Sequence, residues 1–288
     1  MTQVARKRSQ ARGVTFNLLV NLTLREIRSE YKRTTLGRLW SLINPVAQIA
    51  VFSLVFGLLF QIQAQPGTNS GVHFFPLWIG IGVVTWGFIS SSVNGGMRML
   101  IGSAGLLKKV YFPRWVLVLS KILSNAFTYV IEIGVITILM AFVGGPRVLL
   151  YAPLMIPLIL LVVVFTVGLA LVLSVAIVYF RDVEHLWGIL TQMWMYATGV
   201  MFPLSYVAGA EQRIFDDGFR IFDERFPLLF LFRLNPTERM LESVRNILYD
   251  FTVPPLENWL FIAAWAFVML GIGILVFRRY SKNLVEEL

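Results

Sequence analysis

Long apolar runs separated by polar segments are the dominant pattern of this 288-residue chain. An α-helix needs about 20 apolar residues to cross the hydrocarbon core of a bilayer, and six runs have roughly that length. None of them alternates apolar and polar residues as the strands of a membrane barrel do, so helices are expected. The predicted spans are residues 40–60, 74–93, 115–143, 153–180, 186–207 and 259–277. The fold class that follows is an all-α integral membrane protein with six transmembrane helices.

The segment before the first span has an amphipathic pattern. Between Thr15 and Arg33, basic residues form a stripe that includes Arg25, Arg28 and Lys32. The apolar positions recur every three to four residues: Phe16, Val20, Leu24, Ile27 and Tyr31. This pattern predicts a helix on the inner membrane surface, within a cytoplasmic N-terminal region of residues 1–38. A simple basic anchor is the alternative, because basic amphipathic patterns are common.

The segment between the fifth and sixth spans, residues 208–256, is too long for an ordinary loop and is expected to carry structure of its own. Asn235 and Pro236 precede Glu238, an order typical of a helix start. Five apolar residues then fall on one helical face: Met240, Leu241, Val244, Ile247 and Leu248. We predict two short re-entrant helices in the outer leaflet. A small soluble cap is the alternative, since amphipathicity does not fix depth.

The composition supports a membrane protein. Hydrophobic residues make up 57% of the chain and charged residues 14%, with a mean hydropathy of +0.72, whereas soluble domains have about 45–50% apolar and about 25% charged residues. Most of the 25 basic residues fall in the N-terminal segment, the second-to-third connection and the tail, residues 279–288. The positive-inside rule therefore places both termini in the cytoplasm. The net charge of +9 is explained by this excess of basic residues on the cytoplasmic side and does not indicate nucleic-acid binding.

Several kinds of chemistry are excluded by the motifs. The chain has no cysteine and only two histidines, far apart. It has no GxxxxGK[ST] phosphate loop, no HExxH zinc motif and no GxSxG nucleophile motif. We therefore expect no catalytic residues, no metal and no bound cofactor in this chain. No cleavable signal peptide is recognised either, so the first span is expected to direct insertion.

Charged residues inside a membrane span are costly and are candidates for function. Lys121 lies near one end of its span and can extend to the headgroups. Glu132 lies near mid-span, on one helical face with Asn125 and Tyr129. This polar stripe either lines a pathway or bonds to a neighbouring helix. An ion-coupled transporter would have to depend on Glu132.

Aromatic residues are abundant, and some lie deeper than the interfacial belt that explains those at span ends. Aromatic faces suit the apolar faces of sugar rings, so a weakly binding aromatic channel for glycan is one interpretation, and ordinary packing is the other. The candidate channel residues are Trp86, Phe88, Phe127, Tyr129, Trp194 and Tyr196.

Five stretches, in this order, resemble the permeases of polysaccharide-type ABC-2 exporters, which export O-antigen, teichoic acid, cell-wall galactan or capsule. They are LREIRSEYKRTTLGRLWSLINP (24–45), LLKKVYFP (106–113), YFRDV (179–183), MFPL (201–204) and LNP (234–236). The resemblance covers residues 16–280 and implies the ABC-2, or type V, exporter fold. It also implies a homodimer in the bacterial cytoplasmic membrane, with two copies of a cytoplasmic ATPase that binds the ATP and magnesium. The substrate would be lipid-linked polysaccharide.

The resemblance also implies roles for particular segments. The entrance for the substrate's diphosphate would involve Arg25, Arg28, Lys32, Arg33 and Arg38. The contacts with the ATPase would involve Ser103, Leu106, Leu107, Lys108, Lys109, Tyr111, Arg181 and Asp182. The external gate would involve Asn235, Pro236, Met240 and Val244. A permease of the same fold for a drug or another lipid is the main alternative, and a membrane-embedded enzyme lacks any candidate catalytic group.

Overall fold

The computed structural model describes residues 2–29, 37–62, 66–108, 112–216 and 227–281, with side chains from residue 13 onward except those of Arg38 and Ser41. Every regular element in these ranges is helical, which confirms the all-α prediction. The α-helices are α1 (Thr2–Ser29), α2 (Trp40–Phe52), α3 (Phe75–Gly102), α4 (Ala104–Leu107), α5 (Trp115–Val143), α6 (Val148–Tyr151), α7 (Met155–Tyr179), α8 (Val183–Ala197), α9 (Leu204–Asp216), α10 (Leu228–Arg233), α11 (Pro236–Leu248) and α12 (Leu256–Tyr280). A π-helix, Ser53–Leu59, continues α2.

Five stretches of helix in the described ranges are long and apolar enough to cross a membrane. They are Leu42–Leu59, Phe75–Gly102, Trp115–Val143, Val148–Tyr179 and Leu256–Tyr280. They correspond to the first four predicted spans and the last. The protein is therefore a multi-pass membrane protein.

The fifth predicted span, residues 186–207, differs from the structure. The helix there, α8, has only 15 residues, or about 22 Å of length against a core of about 30 Å. The chain then turns at Gly199, whose φ is +68°, and a new helix, α9, begins after Pro203. Apolar residues continue through this turn, so the hydrophobic pattern predicted a single span for residues 186–207. Six crossings stays a prediction.

The N-terminal helix α1 packs through a face that the amphipathic pattern did not single out. Leu18, Leu19 and Leu22 join a buried cluster with residues of α3, α5 and α7, and α1 packs mainly against α5. Of the predicted apolar face, Phe16, Val20 and Leu24 remain exposed, Ile27 is half-buried, and Tyr31 lies outside the described residues. The helix therefore has a packed face, an open apolar face and a basic face.

Helix α3 lies at the centre of the fold, with α2, α5, α7 and α11 packed around it. One buried cluster, which includes Ile79, Leu158 and Val244, forms where α11 covers α3 and α7. A second, which includes Met97 and Val116, forms at the opposite end of the same helices. These two clusters hold the two ends of the bundle together.

The backbones of helices α7 and α12 approach each other closely at two glycines. A Cβ atom added at Gly168 would collide with the Met269 backbone, and one added at Gly273 would collide with the Gly168 carbonyl. Small residues at such crossings let backbones pack directly in a membrane. The last span is fixed to the bundle in this way.

Candidate functional site

Basic residues of α1 line an open recess. Arg25 and Arg28 border it together with Asn21, Leu24 and Ser29. Both arginines are exposed, and the 3.8 Å pair between Arg25 and Glu26 leaves most of their charge available to a ligand, since exposed pairs are weak. Of the other residues predicted for the entrance, Lys32 and Arg33 lie outside the described residues, as does the side chain of Arg38.

The two segments predicted to contact an ATPase lie beside each other. The Arg98 guanidinium, near the end of α3, is 2.8 Å from the Glu184 carboxylate in the first turn of α8. Three charged members of the predicted set are exposed on this surface: Lys108, Arg181 and Asp182. Three others are buried or half-buried: Ser103, Leu106 and Leu107. Lys109 and Tyr111 lie outside the described residues.

The predicted channel aromatics are divided between the interior and the surface. Trp86, Phe88 and Tyr129 are buried, and the last two stack with ring centroids 4.6 Å apart. Trp194 is half-buried and packs edge-on against Trp86, 6.1 Å away. Phe127 and Tyr196 are exposed. In this conformation Trp86, Phe88 and Tyr129 pack the bundle, and they do not line an open channel.

The polar stripe on α5 faces α3. The Tyr129 and Thr85 hydroxyl groups are 3.1 Å apart, and the Asn125 amide donates to the Ser91 hydroxyl at 3.5 Å. Both bonds join neighbouring helices, which was one of the two interpretations of this stripe. Ser91, Asn125 and Tyr129 also border a cleft, together with Glu132.

Asn235 connects the start of α11 to the end of α8. Its side-chain oxygen accepts from the Thr237 backbone N–H at 3.1 Å, so it caps α11 as predicted. The same oxygen accepts from the Trp194 indole N–H at 2.9 Å, and its amide donates to the Ala197 carbonyl at 3.0 Å. A single side chain thus satisfies groups at both helix ends and fixes α11 against α8.

Arg245 holds the turn after α8 from the other side. Its guanidinium donates to the carbonyls of Gly199 and Val200, each at 2.9 Å. It also lies over the Trp78 ring, 3.5 Å from the centroid, a favourable cation–π position. Gly82 leaves room for it, because a Cβ there would be 2.8 Å from the guanidinium. We refer to Arg245, Trp78 and the two carbonyls as the arginine clamp.

The buried face of α11 carries a second ionisable group. Burial, with Glu242 adding to the effect, raises the pKa of Glu238 to about 8, although Arg239, Arg233 and Arg245 oppose the shift. One Glu238 carboxyl oxygen has no hydrogen-bond partner among the described residues. Burial lowers the pKa of Arg245 to about 9, which leaves it charged at neutral pH.

The residues predicted for the external gate all lie in α11 or at its N-cap. Asn235 caps it, and Pro236, Met240 and Val244 are buried. The sequence analysis missed Arg245 and Trp78. A signal was present, since Arg245 falls among apolar residues of an amphipathic helix, but no local pattern identifies its partners. The Arg98–Glu184 pair was missed for the same reason.

The described helices define a multi-pass helical membrane protein. Residues 17–214 match the family described as ABC-2 type transporter, and the chain belongs to that family. It is 29% identical over 290 residues to the O-antigen export system permease protein RfbA of Myxococcus xanthus, covering all of both chains. Two proteins of the same name from Klebsiella pneumoniae are each 25% identical over 280 residues, covering 96% of both chains.

Proposed function

We propose that this chain is the permease subunit of an ATP-driven exporter that moves lipid-linked polysaccharide of the O-antigen type across the bacterial cytoplasmic membrane. The observation that carries the proposal is the full-length similarity to O-antigen export permeases. The membership of the ABC-2 family supports it independently.

A separate ATPase would supply the energy, with ATP and magnesium bound by that partner. The adjacent α3–α4 and α7–α8 connections, joined by the Arg98–Glu184 pair, give the ATPase one continuous surface. Exposed Lys108, Arg181 and Asp182 provide charges for it. Movement of this surface would be transmitted directly into α3 and α8.

A second copy of the chain would complete the pathway. Helix α2 presents exposed apolar residues such as Val46 and Val51, and α8 presents Ile189 and Leu190. None of the described residues of α8 is buried. Both helices therefore offer broad apolar faces to a partner, and a path between two copies would pass Tyr196.

The entrance and exit of that path have different chemistry. At one end, Arg25 and Arg28 suit a diphosphate, because guanidinium groups bind phosphate oxygens in pairs. At the other end, Asn235 and the arginine clamp hold α11 across the end of α8. We assign these two places to substrate capture and to the external gate.

Reconstitution in proteoliposomes tests the function. The permease is combined with the ATPase encoded beside it, and transfer of radiolabelled lipid-linked glycan to the opposite leaflet is measured with and without ATP. We expect ATP-dependent transfer that a Walker-motif variant of the ATPase abolishes. Failure of the two proteins to co-purify, together with ATP-independent transfer, would contradict the proposal. Full transport by Glu132→Gln would argue against the ion-coupled alternative.

Single-cysteine cross-linking tests the dimer, because the native chain has no cysteine. Val46→Cys on α2 and Leu190→Cys on α8 are expected to form cross-linked dimers with a short bifunctional thiol reagent. Leu275→Cys, on the exposed face of α12, is the matched control and should stay monomeric. Equal cross-linking of all three variants would indicate random collision instead of a specific interface.

A further inference from the structure

A cleft of about 200 Å³ lies between α2, α3 and α5. Asn44 and Gln48 border it from α2, Ser91 from α3, and Asn125, Tyr129 and Glu132 from α5. The first two residues lie roughly 6 to 12 Å along α2 from its first residue, Trp40. All three helices belong to candidate membrane spans, so this is a polar site within the spanning part of the protein.

The amides on α2 have no hydrogen-bond partner among the described residues. Asn44 and Gln48 are both exposed. An amide without a hydrogen bond in a dry, membrane-spanning environment costs several kcal/mol in order-of-magnitude terms, since nothing there replaces water. A polar occupant of the cleft would satisfy both side chains.

The donors and acceptors of the cleft suit a neutral, hydroxyl-rich ligand. Amides and hydroxyl groups both donate and accept, and a carboxylate accepts from two hydroxyls. No Lys, Arg or His is among the described residues that border the cleft, so nothing there would compensate a phosphate. Apolar contacts come from Phe88 and Val84, which suit the C–H face of a sugar ring.

Part of the cleft is already held in place. Tyr129 stacks on Phe88 and is bonded to Thr85, while Asn125 is bonded to Ser91. A ligand would therefore meet oriented groups and would lose little affinity to ordering them. The volume is below the range of about 300–1,000 Å³ typical of drug-sized ligands, and it suits a single ring.

We propose that this cleft binds one sugar ring of the lipid-linked glycan whose diphosphate the arginines of α1 hold. The inference rests on the proposed function and adds a recognition site for the sugar itself. The position fits, because α1 packs against α5 and precedes α2 in the chain. The glycerol headgroup of a phospholipid offers similar hydroxyl groups, and the competition experiment below distinguishes it from a sugar.

Gly87 gives a direct way to fill the cleft. It borders the cavity, and a Cβ atom added there meets nothing within 4 Å. Gly87→Leu should therefore occupy the cleft without disturbing the packing of α3. Gly271→Leu is the matched control, since Gly271 also has open space around its Cβ position, on α12. Gln48→Ala removes one polar group of the cleft at an exposed position. It therefore tests the same site even if Gly87→Leu does not fold.

The experiment measures binding to the permease–ATPase complex in phosphatidylcholine nanodiscs. The probes are a polyprenyl diphosphate that carries one hexose and the same lipid without a sugar. We expect the wild type to bind the sugar-bearing probe about ten-fold more tightly or better, the effect of a few net hydrogen bonds. Gly87→Leu should abolish this preference without weakening the bare diphosphate, Gln48→Ala should reduce it, and Gly271→Leu should retain it.

Three results would overturn the inference. The first is equal binding of both probes by the wild type, or an unchanged preference in Gly87→Leu. The second is competition by phosphatidylglycerol that Gly87→Leu removes, which would assign the cleft to a phospholipid headgroup. The third is self-cross-linking of Gln48→Cys that is more efficient than that of Val46→Cys, which would show that a second copy covers the cleft. The same preparation is also assayed for ATP-driven glycan transfer. If transfer occurs but one of these results is obtained, the sugar site is refuted and the proposed function stands.

Discussion

Removal of the arginine clamp should release the turn that follows α8. In Arg245→Met, the carbonyls of Gly199 and Val200 lose two charge-assisted hydrogen bonds of 2.9 Å, and Trp78 loses its cation. Such hydrogen bonds contribute about 1.5–3 kcal/mol each and the cation–π contact about 0.5–2 kcal/mol. Burial of the guanidinium costs part of this sum. We therefore expect a net loss of about 2–4 kcal/mol in the local opening free energy.

Hydrogen–deuterium exchange measures that loss directly. Protection of the backbone amides in residues 198–204 should fall roughly 30- to 900-fold, since each 1.36 kcal/mol corresponds to one power of ten. Gly82→Ala should give a smaller effect of the same kind, because its Cβ would displace the guanidinium while Arg245 remains. Proteoliposomes with either variant should also leak a small trapped dye without ATP.

The control is Arg213→Met, the same substitution at an exposed position of α9. It should leave both exchange and leak unchanged. Unaltered protection at residues 198–204 in Arg245→Met would refute the reasoning, because the clamp would then not stabilise the turn. Increased exchange without dye leak would show that the arginine clamp stabilises the turn but does not close the external gate.

Three further predictions concern stability. Gly168→Ala should lower the thermal midpoint by several degrees, a cost of about 1–3 kcal/mol, because its Cβ meets the α12 backbone; Gly271→Ala, with open space at its Cβ, should leave the midpoint unchanged or slightly higher. Trp194→Phe should cost about 1 kcal/mol in chemical denaturation by removing the donor to the α11 cap, and an effect below ~0.3 kcal/mol would contradict the bond. The raised pKa of Glu238 means that the unfolded chain ionises first, so stability should decrease from pH 4.5 to about 8. Glu238→Gln should flatten that part of the pH profile of the thermal midpoint, and an identical profile would exclude Glu238 as its source.

Local patterns were sufficient for most of the helices and for one helix start. The third predicted span, residues 115–143, coincides with α5, because a run of apolar residues long enough to cross lipid must form its own backbone hydrogen bonds. Asn235 caps α11 as predicted, since capping depends on residues only two or three positions apart. The apolar face of α11 is buried as its spacing indicated.

Other features depended on contacts between distant segments. The turn at Gly199 interrupts a run that stays apolar throughout, so hydropathy alone does not locate the break, and Arg245 stabilises the turn from 45 residues away. The face of α1 that packs against α5 includes Leu22. It differs from the face that the three- to four-residue spacing of apolar residues predicted. The cleft beside Asn44 exists only because α2, α3 and α5 come together around Gly87.

The sequence by itself determined which segments are helical and which are apolar enough for lipid, because these properties arise from neighbouring residues. Only the tertiary structure decided where the fifth apolar run breaks, which polar groups meet and where a cavity remains. Those depend on how helices pack, and the partners of a buried arginine or an open amide can be anywhere along the chain.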